Sequence, residues 1–212
     1  MDTIDGTDGF TVATVERLDE IYGDVVPGAV GKQTDHVTEP GRAFIAASSF
    51  LILATASEAG IDCSPKGDAP GFVQVLDDRT LLIPDRPGNN RVDGMKNIIA
   101  NPKIGIIFMV PGANETYRVN GSARISVDPA LLARFEVRSK PPRAVIVVTV
   151  EEAFNHCPKA FARADLWRNG AQGRPKDAPS HGAFAAHRDG EDEAFAAKYD
   201  AEYVVRMQER LY

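Results

Sequence analysis

The segment Ile83 to Arg91, IPDRPGNNR, gathers two arginines, two asparagines and a glycine between the end of an apolar β run and the start of a helical pattern. That composition suits a phosphate. Arginine presents a planar fork of donors to phosphate oxygens, and the first turn of a helix adds free backbone N–H groups at a positive dipole end. Asn89 or Asn90 could cap the helix and still donate through its amide. A polar strand-to-helix loop with solvated arginines would have the same composition, so these residues alone leave both readings open. A second polar cluster, Cys63-Ser64-Pro65-Lys66-Gly67-Asp68, ends another apolar run. Lys66 could offer a compact positive charge to a ring oxygen or a phosphate, and Gly67 would let the backbone approach a planar ligand closely. By itself the hexapeptide reads equally well as a turn.

Further along, Lys159, Arg163 and Trp167 recur every fourth residue, which on one continuous helix places two cations and an indole on one face. A core tryptophan beside two solvated cations fits that spacing as well. His156 and Cys157 are adjacent and make a poor metal site, since neighbouring residues rarely present two ligands and no C-x-x-C pair exists. His36, His181 and His187 are scattered, and neither a G-x-S-x-G elbow nor a G-x-G-x-x-G fingerprint occurs. No metal is expected.

The chain has 212 residues, 43% of them apolar, enough for one compact domain with appended helices. Its formal net charge of -6 disfavours a general nucleic-acid or acidic-membrane binder, so any anion must be held by local groups. Two cysteines are too few for the disulfide framework of a small secreted domain. The acidic N-terminus does not read as a signal peptide, and no apolar run reaches the roughly 18 residues of a membrane span. A cytoplasmic protein is expected.

The elements that would position these residues alternate in period. A short amphipathic helix is expected from Thr14 to Tyr22, ended by Gly23, and a second from Pro40 to Ser48. FLILATAS reads as a buried strand, and IDCSP, FVQVL and TLLIP as three strands in meander order. Val92, Met95, Ile98 and Ile99 predict one face of a helix over 90–100, stopped by Asn101–Pro102. KIGIIFMV and ETYRVNGSARISV follow as strands, the second bent or bulged at Gly121. Asp128–Pro129 starts a short helix with Leu131, Leu132 and Phe135 on its apolar face, AVIVVTVEEAF is one more strand, and 158–167 reads as a helix. Residues 169–190 have little periodicity and predict a long surface loop or arm, followed by a helix over 191–211. The fold class expected is mainly β with peripheral helices, a small antiparallel barrel.

Taken together, FLILATASEAGIDCSPKGDAPGF, TLLIPDRPGNNRVDGMKNIIANPKIGIIFMVPG and ETYRVNGSARIS resemble the FMN-binding split β-barrel of the pyridoxamine-phosphate-oxidase-like class. The likeness extends from about residue 44 to 167 and is nearest to the branch with S-P-K/R-G-D and D-R-x-G-N-N-R motifs. It implies a helical lead-in over 1–48, a split barrel over 49–167, and a loop and helix over 168–212 packed on the barrel. It also implies that FMN is the cofactor, with its phosphate on Asn89, Asn90, Arg91 and the adjacent Arg86. The ring would rest on main chain of Ser64, Pro65 and Lys66 and of Ile83, Pro84 and Asp85. Thr116 stands where the class often turns a polar side chain to the flavin, and Arg118, two residues on, shares that side of the strand; pairing on a solvated face would also explain Arg118. Lys159, Arg163 and Trp167 would cover flavin or substrate from a partner subunit.

The activity so implied is that of an FMN-dependent oxidoreductase with flavin at a homodimer interface and no nucleic-acid or membrane partner. A flavin- or haem-binding module without turnover, or a deazaflavin-dependent reductase, fits the same fold. Ile104–Val110 and Ala144–Val150 carry more apolar surface than one sheet face needs, which points to cover by the second subunit. True pyridoxamine-phosphate oxidases end in a basic, tryptophan-containing segment that closes over the substrate. This chain ends RMQERLY, so neither substrate nor catalytic residue is carried over.

Overall fold

The computed structural model describes residues 10–171, 173–175, 177–209 and 211–212. Its contacts divide the chain between Gln33 and Thr34. In the first unit α1 (Val15–Tyr22) starts where the Thr14 side chain accepts the Arg17 N–H and ends at Gly23, whose φ of 69° suits a residue without a Cβ; α2 (Pro27–Val30) follows. Among the described residues, no helix of either unit is long and apolar enough to cross a membrane.

The second unit is mainly β with peripheral helices. In chain order it comprises α3 (Glu39–Ala47), β1 (Phe50–Ser57), β2 (Gly60–Gly67), β3 (Gln74–Val75), β4 (Thr80–Asp85), α4 (Asp93–Ala100), β5 (Lys103–Met109), β6 (Thr116–Ser126), α5 (Pro129–Ala133), β7 (Ala144–His156), α6 (Lys159–Ala164), α7 (Leu166–Ala171), α8 (His181–Asp189) and α9 (Glu193–Glu209). The strands form one sheet in the order β2-β1-β5-β6-β7-β4-β3, and every pair is antiparallel. β2 and β4 stand five positions apart, which in a flat sheet would separate them by about 24 Å. Yet Lys66 Nζ of β2 lies 3.0 Å from Asp85 Oδ1 of β4, so the sheet curls until its ends meet.

The expected meander does not form. FVQVL contributes only Gln74 and Val75 to the sheet, and β3 pairs at the opposite end from β2. Phe72 and Val73 enter the core as irregular chain instead, 8% and 3% exposed, so burial without hydrogen-bonded pairing explains their apolar character. β4 and β7 read as continuous apolar runs because both of their faces are covered. Leu81, Ile83, Ile146 and Val148 fill the main core, whereas Leu82, Val145 and Val147 meet Phe135, Leu131 and Leu132 around α5. The surplus apolar surface over Ala144–Val150 is therefore covered within the chain and needs no second subunit.

The helix after the phosphate-like loop also differs in its face. Ile98 and Ile99, about 100° apart around the axis, take different environments in this helix. Ile98 is buried and Ile99 is 79% exposed, while Val92 precedes the helix. The inward position goes to a polar residue: Asn97 accepts from Ser57 Oγ at 2.6 Å and donates to Thr55 Oγ1 and the Gly60 carbonyl, each at 3.3 Å, which locks α4 on the β1–β2 hairpin.

Beyond β7 the expected single helix is broken at Asp165, which adopts a left-handed φ of 46°, so α6 carries Lys159 and Arg163 while Trp167 belongs to α7. The three do not share one helical face. Nor is 169–190 a loop throughout: Ser180 caps α8, whose Gly182, Ala185 and Ala186 are buried and which pairs with α9. A stripe of glycine and alanine gives no large-residue periodicity, which hid this helix in the sequence.

Candidate functional site

One cavity of about 760 Å³ opens where the curled sheet meets the loop before α4. Its polar wall comes from Ser64 to Gly67 of β2, Pro84 and Asp85 of β4, and the loop through Arg86, Asn89, Asn90 and Arg91; Leu53, Phe72, Met95 and Ile146 supply an apolar side. The volume lies within the range of about 300–1,000 Å³ usual for small-molecule sites. Ten residues singled out in the sequence thus line one space: Ser64, Pro65, Lys66, Gly67, Pro84, Asp85, Arg86, Asn89, Asn90 and Arg91. Ile83 lies just behind it, fully buried in the core.

The cations of this wall differ in what already holds them. Lys66 pairs with Asp85 at 3.0 Å, both side chains about four-fifths buried. Arg86 is fixed more firmly: Nε donates to Asp68 Oδ2 at 2.6 Å and Nη1 to the Phe135 carbonyl at 2.7 Å. Arg91 is 76% exposed and its Nε contacts Asp93 Oδ2 at 2.8 Å, an exposed pair worth little and readily exchanged for another anion. Hydrogen bonds from Arg91 and then Lys96 hold the Asp93 carboxyl below its ordinary range.

Neither asparagine caps α4. Val92 is the N-cap, with φ 52° and ψ 29° and no side-chain bond, an outlier conformation for a β-branched residue. Asn89 Oδ1 accepts the Arg91 N–H at 3.0 Å, and Asn90, itself at φ 62°, accepts from Arg143 Nη1 at 2.8 Å. Arg143 also lines the cavity and was not anticipated. It precedes β7 in a polar turn far from the loop in sequence, and only the pairing of β7 with β4 brings it there.

Thr116, Arg118, Lys159, Arg163 and Trp167 lie outside this cavity. Thr116 is 6% exposed; Arg118 Nε donates to Asn120 Oδ1 at 3.1 Å on the outer side of β6, with its guanidinium over the Phe154 ring. Trp167 packs beside Phe161 with the rings tilted by 38° and donates from Nε1 to the Ala113 carbonyl at 2.6 Å, while Lys159 and Arg163 are exposed.

Tyr212 flanks the site from behind. Its hydroxyl donates to Asp68 Oδ1 at 2.7 Å, and its ring lies between Arg86 and Arg138, 5.5 and 5.4 Å from their guanidinium carbons. Burial pushes the Asp68 carboxyl up, but bonds from Tyr212, the Ala69 N–H and Arg86 outweigh it and hold the group low. The bond to Asp68 in turn raises the Tyr212 phenol. A lowered carboxyl stabilises above its unfolded pKa of about 4 and loses that contribution as pH falls through its folded value; a raised phenol stabilises below about pH 10 and loses it as pH rises through its folded value. Tyr212→Phe is accordingly expected to cost about 1 kcal/mol near neutrality, with the difference from the wild type fading in acid and in strong alkali. Thermal unfolding of both proteins across pH would show this, and a pH-independent difference would disprove the coupling.

A family model for pyridoxamine 5'-phosphate oxidase matches residues 37–157, more than half of the chain. No curated protein matches it. Among solved structures, HupZ from Group A Streptococcus is 26% identical, over 56% of this chain and 93% of its own, with a TM-score of 0.46. An FMN-binding protein from Syntrophomonas wolfei is 12% identical over 55% and 83%, TM-score 0.43, and General Stress Protein 26 from Bacillus anthracis is 15% identical over 53% and 88%, TM-score 0.40. The family is shown by the sequence match over residues 37–157. By that match the chain belongs to the pyridoxamine 5'-phosphate oxidase family.

Proposed function

We propose that this protein is an FMN-dependent oxidoreductase that holds its flavin in the cavity between β2, β4 and the loop over 86–91, as a homodimer. The observation that carries the reading is the convergence of that loop with Ser64 to Lys66 on a space of about 760 Å³. The donor set fits the cofactor at both ends: arginine and asparagine side chains suit a phosphate, and Pro65, Pro84, Leu53, Phe72 and Ile146 suit a flat apolar ring. When bound, FMN supplies the hydride chemistry itself. The protein's part is to orient and shield. Arg91 exchanges Asp93 for the phosphate, and Asp85 fixes the Lys66 ammonium beside the ring pocket as a hydrogen-bond donor in a partly buried setting.

The dimer reading is supported by the outer sheet face. Pro65, Ile52, Ile107, Arg118 and Phe154 stand in one cross-strand row, with Phe50, Met109 and Thr116 in the next. Most of these are only half buried, and Ile107 is 38% exposed. Pro65 belongs to both this row and the cavity wall, so a second copy on the face would adjoin the flavin and bring Arg118 close to it.

The absorbance spectrum of the purified protein, with mass spectrometry of what heat releases, tests the reading. Flavin bands, the mass of FMN and anaerobic bleaching by NAD(P)H are expected. Release of a deazaflavin or a haem, or FMN that no pyridine nucleotide or other reductant substrate reduces, would overturn it.

A further inference from the structure

The charges around the cavity are unevenly matched. Lys66, Arg86 and Arg91 each meet a carboxylate, from Asp85, Asp68 and Asp93 respectively. Arg143 is ion-paired to no carboxylate among the described residues, and its Nη1 donates to Asn90 Oδ1 at 2.8 Å. That bond orients the guanidinium at the cavity and leaves it further N–H donors. The negative charge is distributed in the opposite way. Asp62 is ion-paired to no cation among the described residues; Ser64 Oγ donates to its Oδ2 at 2.6 Å. The same oxygen lies against the first turn of α4, where a Cβ on Gly94 would come within 2.7 Å of it. Asp93 occupies that turn too.

The helix start, ordinarily the place for a phosphate, thus faces the unpaired carboxylate of Asp62 beside an Asp93 already matched by Arg91 and Lys96, whereas Arg143, bonded to Asn90 of the loop, is an unmatched cation. A dianion is repelled from the first and drawn to the second. We infer that Arg143 is the residue by which this cavity selects a phosphorylated ligand. The phosphate sits on Arg143 and the Asn89–Arg91 loop, displaced from the first turn of α4. The inference rests on the FMN reading of the cavity and adds to it a ligand from β7's leading turn and a position for the anion.

Fluorescence titrations with FMN and with riboflavin, which shares the ring and sugar chain but lacks the phosphate, separate the possibilities. Arg143→Ala should weaken FMN binding roughly 10-fold or more while leaving riboflavin affinity unchanged. Arg143→Gln, which keeps a donor for Asn90, should show the same selective loss, so a defect of loop structure is distinguished from a lost charge. Asp62→Asn should change FMN affinity less than Arg143→Ala does. Three outcomes would overturn the assignment: unaltered FMN affinity in both Arg143 variants, equal losses for FMN and riboflavin, or a gain in Asp62→Asn larger than the loss in Arg143→Ala, which would place the phosphate at α4. A wild-type protein that binds neither flavin would instead remove the FMN reading and this inference with it.

Discussion

Gly121→Ala is expected to destabilise the fold by about 3 kcal/mol or more. At Asn120/Gly121 the pairing of β6 with β7 shifts by one residue: Asn120 faces Glu152, and Gly121 faces Val150. The extra residue on β7 is a bulge, which increases twist and lets two long strands bend with the curled sheet. The strands approach so closely there that a Cβ on Gly121 would lie 2.0 Å from the Thr149 carbonyl oxygen and 3.1 Å from its carbon. Main chain cannot turn aside as a side-chain tip can, so the strands must part, and the core on both sides of the bulge loosens with them. Urea unfolding of the variant measures the loss. Stability within 1 kcal/mol of the wild type, at an unchanged m-value, would show that the bulge does not constrain the barrel.

The second large effect is expected from Ile107→Glu. Ile107 is at the centre of the outer sheet face, and its neighbours along β5, Ile106 and Phe108, point the other way into the core. The substitution therefore leaves the barrel interior intact while placing a carboxylate where the second copy would dock. Burying an unpaired charge in an apolar contact should raise the dimer dissociation constant by roughly 100-fold. Sedimentation should show monomers with an unaltered far-ultraviolet circular dichroism spectrum, and FMN affinity should fall with dimerisation. A variant that remains dimeric would place the interface elsewhere.

Much of this architecture could be read from residue types because local rules and tertiary packing agree. Thr14 and Gly23 bound α1 as capping chemistry predicts, and Gly121 marks the bulge because nothing larger than hydrogen fits there. Ser64 to Lys66 and the loop from Arg86 to Arg91, grouped from the sequence as candidate ligand contacts, line one cavity although two strands intervene between them. What failed did so for physical reasons. Phe72 and Val73 are apolar because they fill the core, not because they pair. Asn97 is polar and buried because its amide meets three partners, a satisfaction no periodicity reveals. The left-handed Asp165 divides a helix that spacing alone made continuous. Arg143 was missed because its place depends on strand order, which composition does not encode.

The central claim, that the cavity over Ser64 to Lys66 and Arg86 to Arg91 binds FMN through its phosphate loop, is tested most directly by titrating FMN into the folded, flavin-free wild type and into Arg91→Ala while following flavin fluorescence. Saturable binding of one FMN per chain is expected in the wild type. In Arg91→Ala the affinity should weaken roughly 10-fold or more, the loss of one charge-assisted contact to a dianion. A folded wild type that leaves FMN fluorescence unchanged, or an Arg91→Ala protein that binds FMN as tightly as the wild type, would contradict it.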